Sequence, residues 1–568
     1  MFKLHTIIGK TNKYKLFLLL FFLIISSVFE FVGIGTIPVL IGIVLDSNNF
    51  INTLNEYIYF KSIQNTSKNT LLIYFSFFII SVFLVKNLFQ LFIIHFQGNL
   101  IKEIKIYIVN KLFQKYLNGN FLSFLNKKSS VVTRILGSDA GNTTIFVLTL
   151  LNIIREGLVF LVICILLLIS NTLVSLYLIM FFLFFSIVFY FTTAKKLQKR
   201  GKGLQLLTSD LLRVISETFG SIKEIKIFNL EKFQQNIFSS KVRRNEEFIL
   251  KNYIVRSLPR ILLETLSILA IVFIIIFYSF VNYNLTNLLP FLSLLTICVI
   301  RIIPSLNGIS NSLSTLKIIA PSFSTIKKEL ELIENKDHKK QKKEIENFDS
   351  IQLKNINFKY STDGRDILKN LSIKINSGEK IGIIGKSGSG KTTLVNILLG
   401  LLSPLEGEII INEDIVKLDE YSLTNKIGYV PQDIYLIDNT IKNNIAFGID
   451  SNFQNDLAIV QSAKSAQIHD YIDSLPQKYE TIVGENGVNL SIGQKQRIGI
   501  ARVLYRAPSI LVLDESTSSL DPKTEKQFID EIFNFNISKT IIFISHKMSA
   551  LEKCDKIFDL DNSKFVKY

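Results

Sequence analysis

The hydrophobic and polar positions divide the chain into two parts. Up to about residue 325 the sequence contains long apolar runs, and after it the pattern is that of an ordinary soluble α/β domain. Six runs are long enough to cross a bilayer, which takes about 20 residues per helix. They cover residues 16–45, 70–97, 143–169, 172–194, 257–281 and 286–306. The pattern predicts a membrane α-helical bundle with six transmembrane helices, followed by an α/β domain.

A charged segment, "KKELELIENKDHKKQKKEIENFD", lies where the composition changes and is typical of a linker. We therefore expect a transmembrane domain over residues 1–325, a linker over 326–349 and a soluble domain over 350–568. A chain of 568 residues is also too long for a single core. The first apolar run is too long for a cleavable signal peptide and no small-residue cleavage pattern ends it.

The basic residues indicate the orientation of the bundle. Lysine and arginine crowd the segments between spans two and three and between spans four and five, whereas the turns "SNT" and "VNYNLT" contain neither. Positive residues stay in the cytoplasm, so both termini are predicted to be cytoplasmic. The same two segments are periodic enough to continue the spans as helices beyond the membrane. Basic loops also explain the net charge of +17 without a nucleic-acid partner.

Composition, the cysteines and the loop after span one give three further expectations. Many Lys, Asn and Ile residues with no Trp suggest an AT-rich bacterial genome, by composition only. The expected location is a bacterial inner membrane. Cys164, Cys298 and Cys554 form no CxxC pair and are predicted to be small apolar residues rather than metal ligands or disulfides. In the loop after span one, residues 50–58 form an apolar helical face. They predict a short helix on the outer membrane surface, or a connector packed on the domain itself.

Several predicted spans contain ionisable residues, which are costly at membrane depth and usually face a cavity or a partner. These residues are Glu30, Lys86, Arg155, Glu156, Arg260, Glu264 and Arg301. Structural pairing is one explanation, for example between Arg260 and Glu264 one helical turn apart. A cavity that accepts an anionic headgroup is the other, with Arg260 and Arg301 as its candidate substrate-binding residues.

The soluble half begins with a glycine-rich loop between an apolar strand and a helical pattern, in "KIGIIGKSGSGKTTLVNILLG". This spacing and context are those of a P-loop, whose backbone amides cradle phosphates. Lys391 is expected to reach the β and γ phosphates and Thr392 to bind Mg²⁺. The candidate ATP-binding residues of the loop are Gly385, Ser387, Gly388, Ser389, Gly390, Lys391, Thr392 and Thr393.

Two further apolar runs end in candidate catalytic residues. "SILVLDEST" is typical of a buried parallel strand, and it places Asp514 to hold Mg²⁺ through water and Glu515 to polarise the attacking water. "TIIFISHK" brings His546 to the same sheet edge, where ligands of open α/β sheets bind. We expect His546 to contact the γ-phosphate.

These residues, together with Gln432 in "VPQD" and the stretch "NLSIGQKQR", resemble the nucleotide-binding domain of ATP-binding cassette (ABC) transporters. The likeness covers roughly residues 350–568. It implies that Tyr360 stacks on adenine and that Gln432 senses Mg²⁺ and the membrane domain. It also implies that the signature residues Ser491, Gly493 and Gln494 serve the ATP held by a second subunit, and that Ser519 and Asp521 cross the dimer interface. "IVGENG", over residues 482–487, looks like the loop with which exporters touch their transmembrane helices.

The signature departs from the family's Leu-Ser-Gly-Gly-Gln at Ile492. Isoleucine is unfavourable there only if the position needs a positive φ or close backbone approach. At a helix N-terminus we expect an extended or right-handed helical conformation, which isoleucine accepts. The signature is therefore predicted to work.

Six spans before one nucleotide domain resemble an exporter-type half-transporter, which implies a homodimer in the lipid bilayer with ATP and Mg²⁺. Short helices near Phe121–Leu125 and Gly220–Lys226 would pass motion to the spans. "RIIPSLNGIS" and the outer loop add a looser resemblance to bacterial lipid-linked oligosaccharide flippases, which implies an amphipathic polyprenyl-pyrophosphate substrate. Arginine binds pyrophosphate bidentately.

Two other functions compete with the flippase interpretation. A multidrug or general lipid exporter would have few buried arginines on the substrate path. An ABC-type ATPase joined to a channel or to a non-transport membrane assembly is disfavoured because the coupling features Gln432 and "IVGENG" are both present. A peptide exporter with an N-terminal protease domain is disfavoured because span one begins after about fifteen residues.

Overall fold

The chain folds into two units, one helical and one built around β-sheets. The structure, a computed structural model, describes residues 9–45, 68–125, 127–170, 172–280, 285–334, 343–344, 348–361, 364–416, 421–422, 426–515, 522–534 and 540–566. One unit comprises residues 1–119 and 127–337, and the other comprises residues 120–126 and 338–568. The predicted outer-loop helix at residues 50–58 lies outside the described residues.

Among its described residues, the N-terminal unit has six helices of 31 to 50 residues, with short helices between some of them. Apolar runs of this length form helices because a helix satisfies its own backbone hydrogen bonds. In chain order the helices are α1 (Lys10–Leu45), α2 (Lys68–Leu117), α4 (Ser129–Arg134), α5 (Ala140–Ser170), α6 (Thr172–Gly220), α7 (Ile222–Ile227), α8 (Glu231–Phe280) and α9 (Leu285–Glu334). The predicted helical extensions beyond the apolar runs are confirmed in α2 and α6, which continue to Leu117 and Gly220.

Four stretches of the described residues are long and apolar enough to cross a membrane. They are Asn12–Ile37, Leu72–Leu117, Ser129–Ile169 and Thr172–Gly220. The runs predicted at 257–281 and 286–306 fall in α8 and α9 and include positions whose side chains are not described. The number of six crossings therefore stays a prediction.

Close packing joins the long helices at specific points. The rings of Phe146 on α5 and Phe323 on α9 stack with their centroids 4.1 Å apart. On α6, a Cβ atom at Gly201 would lie 2.1 Å from the backbone oxygen of Ile318 on α9. Only glycine lets the two backbones approach this closely, so Gly201 fixes which face of α6 is turned toward α9.

A buried polar network surrounds one π-helical turn, Ile135–Asp139, between α4 and α5. Asp139 is 1% exposed and its carboxylate lies 3.1 Å from Arg134 Nε. Gln205 Nε2 on α6 and Ser322 Oγ on α9 donate hydrogen bonds to the same carboxylate, at 3.1 and 2.7 Å. Because a buried charge is tolerated only when it is paired and hydrogen-bonded, this network ties three helices together.

The C-terminal unit contains two main sheets. The strands are β1 (Lys343–Glu344), β2 (Ser350–Phe358), β3 (Leu368–Asn376), β4 (Lys380–Ile384), β5 (Glu406–Ile411), β6 (Asp414–Ile415), β7 (Tyr421–Ser422), β8 (Ile427–Val430), β9 (Ile510–Asp514), β10 (Thr540–Ile544), β11 (Lys556–Asp559) and β12 (Lys564–Val566). Strands β11-β4-β10-β9-β8 form a parallel sheet that β12 extends in antiparallel direction. A second, antiparallel sheet has the order β3-β2-β5-β6.

Helices pack around the parallel sheet, whose central strands β9 and β10 are buried at every position. These helices are α10 (Lys391–Leu398), α11 (Ile441–Ile445), α12 (Asp456–Ser465), α13 (His469–Ser474), α14 (Ile492–Leu504), α15 (Pro522–Asn534) and α16 (Met548–Leu551). The short helix α3 (Phe121–Leu125) also belongs to this unit, although its residues lie far upstream. Phe121 and Leu122 pack against the core formed by β2, β3, β4 and α10.

Candidate functional site

The glycine-rich loop follows β4 directly and ends where α10 begins at Lys391. Gly388 and Gly390 have φ of +82° and +100°, a region in which side chains are strained. At Gly390 a Cβ atom would also lie 2.9 Å from Leu368 Cδ2. Gly388 and Gly390 are therefore required by the backbone, as expected for a loop that wraps phosphates.

Lys391 points back over this loop. Its Nζ donates to the carbonyl oxygens of Gly385 and Lys386, at 2.8 and 3.2 Å. It also lies 3.2 Å from His546 Nε2, at the end of β10. The ammonium group is thus held inside the loop that is expected to bind phosphates.

Glu515 is the meeting point of the predicted catalytic residues. Its carboxylate accepts a hydrogen bond from Gln432 Nε2 at 2.9 Å and lies 2.9 Å from His546 Nε2. Glu515 has a φ of +48°, which is unusual for a side chain of this size. His546 Nε2 can either donate to Glu515 or accept from Lys391, depending on its tautomer. The three residues named as catalytic from the sequence are therefore brought together.

Asp514, one residue earlier, is buried at the end of β9. Tyr429 on the neighbouring strand β8 donates its hydroxyl to Asp514 Oδ2 at 3.3 Å. Burial raises the pKa of the Asp514 carboxyl, with the Glu515 charge acting in the same direction and the Tyr429 hydrogen bond and Lys391 opposing it. A nearby divalent cation would stabilise the ionised form of this carboxylate.

Tyr360, expected to contact adenine, lies just after β2 beside the P-loop helix. Its ring packs edge-on against Phe358 with centroids 5.1 Å apart, and 40% of the residue is exposed. Its hydroxyl lies 3.0 Å from Thr393 Oγ1. Thr393 is buried by the fold, whereas Thr392, the predicted magnesium ligand, is exposed. The two threonines therefore have different surroundings.

The signature residues form a second group at the start of α14. Ser491 is the N-cap, with its Oγ accepting from Gln494 N at 3.2 Å and its own amide donating to Gln494 Oε1 at 2.8 Å. This reciprocal capping box fixes where the helix begins. In the part of the chain that the structure describes, no hydrogen bond joins Ser491, Gly493 or Gln494 to the P-loop group, by which we mean the P-loop together with Gln432, Asp514, Glu515 and His546.

Ile492 is the first residue of α14, is 69% exposed and has no positive φ. The position therefore does not need glycine in this conformation, as expected from its place at a helix N-terminus. The preceding "IVGENG" loop is tied to the same helix, because Lys495 Nζ donates to the Asn486 carbonyl at 2.7 Å. Ser519 and Asp521 lie outside the described residues.

The P-loop group fits a nucleoside triphosphate with Mg²⁺. Ser389 Oγ is buried in the loop, and among the described residues it has no hydrogen-bond partner. The loop also presents glycines in phosphate-cradling conformations and one lysine held inside it. Asp514 and Thr392 supply the oxygen ligands that Mg²⁺ prefers.

The candidate substrate residues in the N-terminal unit have different environments. Glu30 lies between two cations, forming an ion pair with Lys86 and lying 3.5 Å from Arg301 Nη1. Lys86 and Glu30 are buried, but the Arg301 side chain is 45% exposed. Lys86 and Arg301 share the single negative charge of Glu30, so the three side chains have a net charge of +1, and Arg301 is the exposed cation.

The predicted pairing of Arg260 with Glu264 was wrong. Both side chains are exposed on α8, and in the described part of the chain neither has an ion pair. One helical turn of separation permits such a pair but does not hold two long exposed side chains together. Arg155 instead pairs with the adjacent Glu156, at 2.9 Å.

Sequence reasoning missed two residues that contact the site. One is Tyr429, since its hydrogen bond to Asp514 depends on β8 and β9 being neighbours, which no local pattern reveals. The other is Asp561, whose carboxylate accepts from the amide of Lys386 in the P-loop at 3.0 Å. Asp561 follows β11, and its role depends on the sheet order β11-β4.

Comparisons with known proteins give the same two-part organisation. Residues 16–303 match the family model of the ABC transporter transmembrane region, and residues 368–518 match the ABC transporter model. A putative multidrug export ATP-binding/permease protein of Bacillus subtilis, YgaD, is 38% identical over 218 residues. An ATP-dependent lipid A-core flippase of Ralstonia nicotianae is 36% identical over 218 residues. Each match spans 38% of this chain and 37% of the relative's length.

The fold as a whole also has a solved counterpart. A bacterial Atm1-family ABC exporter, solved with ATP bound, matches with a TM-score of 0.78 over 98% of this chain and 96% of that chain, at 20% identity. This likeness concerns the fold alone. The transmembrane-region match covers just over half of the chain. The chain therefore belongs to the ABC transporter family, as a multi-pass membrane protein with a helical transmembrane region and an α/β nucleotide-binding domain on one polypeptide.

Proposed function

We propose that the chain is one half of an ATP-driven exporter whose C-terminal unit hydrolyses ATP. The observation that carries this proposal is the meeting of Glu515, His546 and Gln432 within hydrogen-bond distance beside the P-loop. Glu515 is the general base that polarises the attacking water. His546 and Gln432 hold its carboxylate at the edge of the sheet, and Lys391 neutralises charge on the phosphates.

The metal-binding residues of this proposal are Thr392, Gln432 and Asp514. Bound Mg²⁺ supplies charge neutralisation at the transferred phosphoryl group. Asp514 is held in one orientation by Tyr429, which leaves its second carboxylate oxygen available. Tyr360 contributes an exposed ring for stacking on the base.

The working unit is proposed to be a homodimer. Among the described residues, Ser491, Gly493 and Gln494 make no hydrogen bond to the P-loop group, which fits a role toward the nucleotide of a second copy. Asp521 is proposed to act at the same interface. Closure of the two nucleotide-binding domains would be passed to the transmembrane helices by α3 and α7, which correspond to the two short helices predicted from the sequence.

The protein is proposed to lie in a bacterial inner membrane with both termini in the cytoplasm. The distribution of lysine and arginine supports this orientation. In this arrangement the nucleotide-binding domain is cytoplasmic. The domain boundaries at residues 325 and 350 are proposed to bracket a linker, and no nucleic-acid partner is needed to explain the charge.

The cargo is proposed to be an anionic amphipathic lipid, most specifically a polyprenyl-pyrophosphate oligosaccharide. The excess positive charge on Arg301, beside Lys86 and Glu30, supports an anionic headgroup. Arg260 is exposed and adds a second cation. Similarity to proteins named as a lipid A-core flippase and as a multidrug exporter leaves a general lipid or multidrug exporter as the alternative.

The test is ATPase activity of the purified protein in lipid nanodiscs, with and without a polyprenyl-pyrophosphate oligosaccharide. Glu515→Gln is the blank. Arg301→Gln is the test variant, because Glu30 keeps Lys86 as its partner and is not left unpaired. Arg243→Gln, whose side chain is 86% exposed, is the matched control.

We expect the lipid to stimulate the wild-type protein and the control but not Arg301→Gln. Stimulation by apolar drugs or simple lipids, with indifference to the pyrophosphate lipid, would favour the alternative cargo. Turnover no higher than that of Glu515→Gln would overturn the assignment of the ATPase itself.

A further inference from the structure

Helix α6 carries a dense group of basic residues directly after its apolar run. Lys195, Lys196, Lys199, Arg200 and Lys202 fall within eight residues, at the end of the predicted span 172–194. The apolar part of the same helix is one of the stretches able to cross a membrane. The basic group therefore stands where a bilayer would meet water.

Packing against α9 decides which way the lysines point. Leu197 is 1% exposed, and Gly201 lies against the backbone of Ile318. With 3.6 residues per turn, this contact turns Lys195, Lys199 and Lys202 to the opposite side of α6. These three are spaced i, i+4 and i+7, so they form one stripe, and Lys196 lies beside it. All four side chains are exposed.

The lysine stripe continues an exposed apolar stripe on the same helix face. Phe184, Val188 and Phe191 precede Lys195 by eleven, seven and four residues, and they are 62%, 43% and 72% exposed. A helix face that is aromatic and apolar and then becomes basic matches the change from hydrocarbon to headgroup layer. Long lysine side chains reach such a layer by extending along the helix.

The stripe has cations around it and no acidic partner in the described part of the chain. Among the described residues, none of the four lysines forms an ion pair with an acid, whereas Lys226 and Lys241 on other segments pair with Glu231 and Asp210. The neighbouring helix α8 adds the positive charge of Lys251, whose side chain is exposed. Lys251 lies next to α6, because Arg200 Nη1 donates a hydrogen bond to its carbonyl oxygen. Like charges at this density repel one another unless an external anion is present.

We propose that this face of α6 binds the phosphate headgroups of anionic phospholipids in the surrounding bilayer. The four lysines supply point charges for phosphodiesters, and Phe184 and Phe191 contact the acyl chains. The continuity of the apolar and basic stripes favours a lipid over free phosphate, which has no apolar part. The site is separate from the proposed cargo residues and does not depend on ATP hydrolysis.

The experiment measures lipid binding to the nucleotide-free, full-length protein by native mass spectrometry. The purified protein is titrated with phosphatidylglycerol and, separately, with phosphatidylcholine, and the dissociation constant of the first bound lipid is read from the peaks. The test variant is K195Q/K196Q/K199Q/K202Q. The control is K223Q/K232Q/K464Q/K526Q, which removes the same charge from four exposed lysines elsewhere. A variant with arginine at the four test positions keeps the charge.

We expect the test variant to bind phosphatidylglycerol at least about tenfold more weakly, with phosphatidylcholine unchanged. The control and the arginine variant should bind both lipids as the wild-type protein does. Equal phosphatidylglycerol binding by the test variant, or an equal loss in the control, would overturn the proposal. Displacement of the lipid by a modest excess of inorganic phosphate would assign the lysines to a soluble anion instead.

Discussion

Replacing Ile492 by glycine restores the common ABC signature, and the structure predicts a loss rather than a gain. Ile492 is the first residue of α14, with a negative φ and 69% of its surface exposed. Glycine there gains no conformation that isoleucine lacks and loses backbone entropy on folding, at a cost of roughly 0.5–1 kcal/mol relative to alanine. For a domain of this size, about 1 kcal/mol lowers the unfolding midpoint by about 2–4 °C.

The assay pairs thermal unfolding of the purified protein with its ATPase rate in nanodiscs. Ile492→Gly should unfold about 1–4 °C lower, with turnover within about twofold of the wild type. Ile492→Ala is the matched control, and its midpoint should not fall, since alanine is a good helix former. A turnover at least tenfold higher for the glycine variant, but not for the alanine variant, would refute the reasoning. It would mean that the working state needs a glycine conformation at this position.

Three more variants test other parts of the structure. Gly390→Ala should weaken ATP binding at least about tenfold in a fluorescent-nucleotide titration, because φ at this position is +100° and the new Cβ would meet Leu368. The control, Gly98→Ala, has open space around the new Cβ and should bind ATP as the wild-type protein does. Asp139→Ala leaves Arg134 buried without its charged partner and should lower the free energy of unfolding in detergent by about 3–5 kcal/mol, against less than about 1 kcal/mol for Asp210→Ala, whose side chain is 42% exposed. Burial raises the pKa of the Asp514 carboxyl, so the free energy of unfolding without metal should fall as the pH rises from the ordinary carboxyl pKa through the raised one. Urea unfolding measured across this pH range tests the decrease, and Asp514→Asn should abolish it.

The sequence predicted the parts of the site that depend on short segments. The P-loop, the strand-end acids and the cap at Ser491 each combine a local pattern with an adjacent helix or strand, so spacing alone locates them. The apolar runs likewise predicted the long helices, since hydropathy and length decide that outcome. The short helix expected near Phe121–Leu125 from the family resemblance is present there.

The contacts that the sequence did not predict depend on which helices and strands become neighbours in the fold. Arg301 pairs with Glu30 although about 270 residues separate them, and the expected local pair of Arg260 with Glu264 does not form. The hydrogen bond from Tyr429 to Asp514 and that from Lys386 to Asp561 arise from strand order. Such contacts are consequences of the sheet and of helix packing, and one chain without its homologues contains no signal for them.

The inclusion of α3 in the C-terminal unit has a consequence for the order of assembly during synthesis. Phe121 and Leu122 leave the ribosome more than 200 residues before β2, the first strand of the core that they cover. These two side chains remain without the core that they cover until the last third of the polypeptide has been synthesised. Completing this unit therefore requires a long-range closure between an early segment and a late domain. A fragment beginning at residue 338 would expose the apolar surface that those two side chains cover.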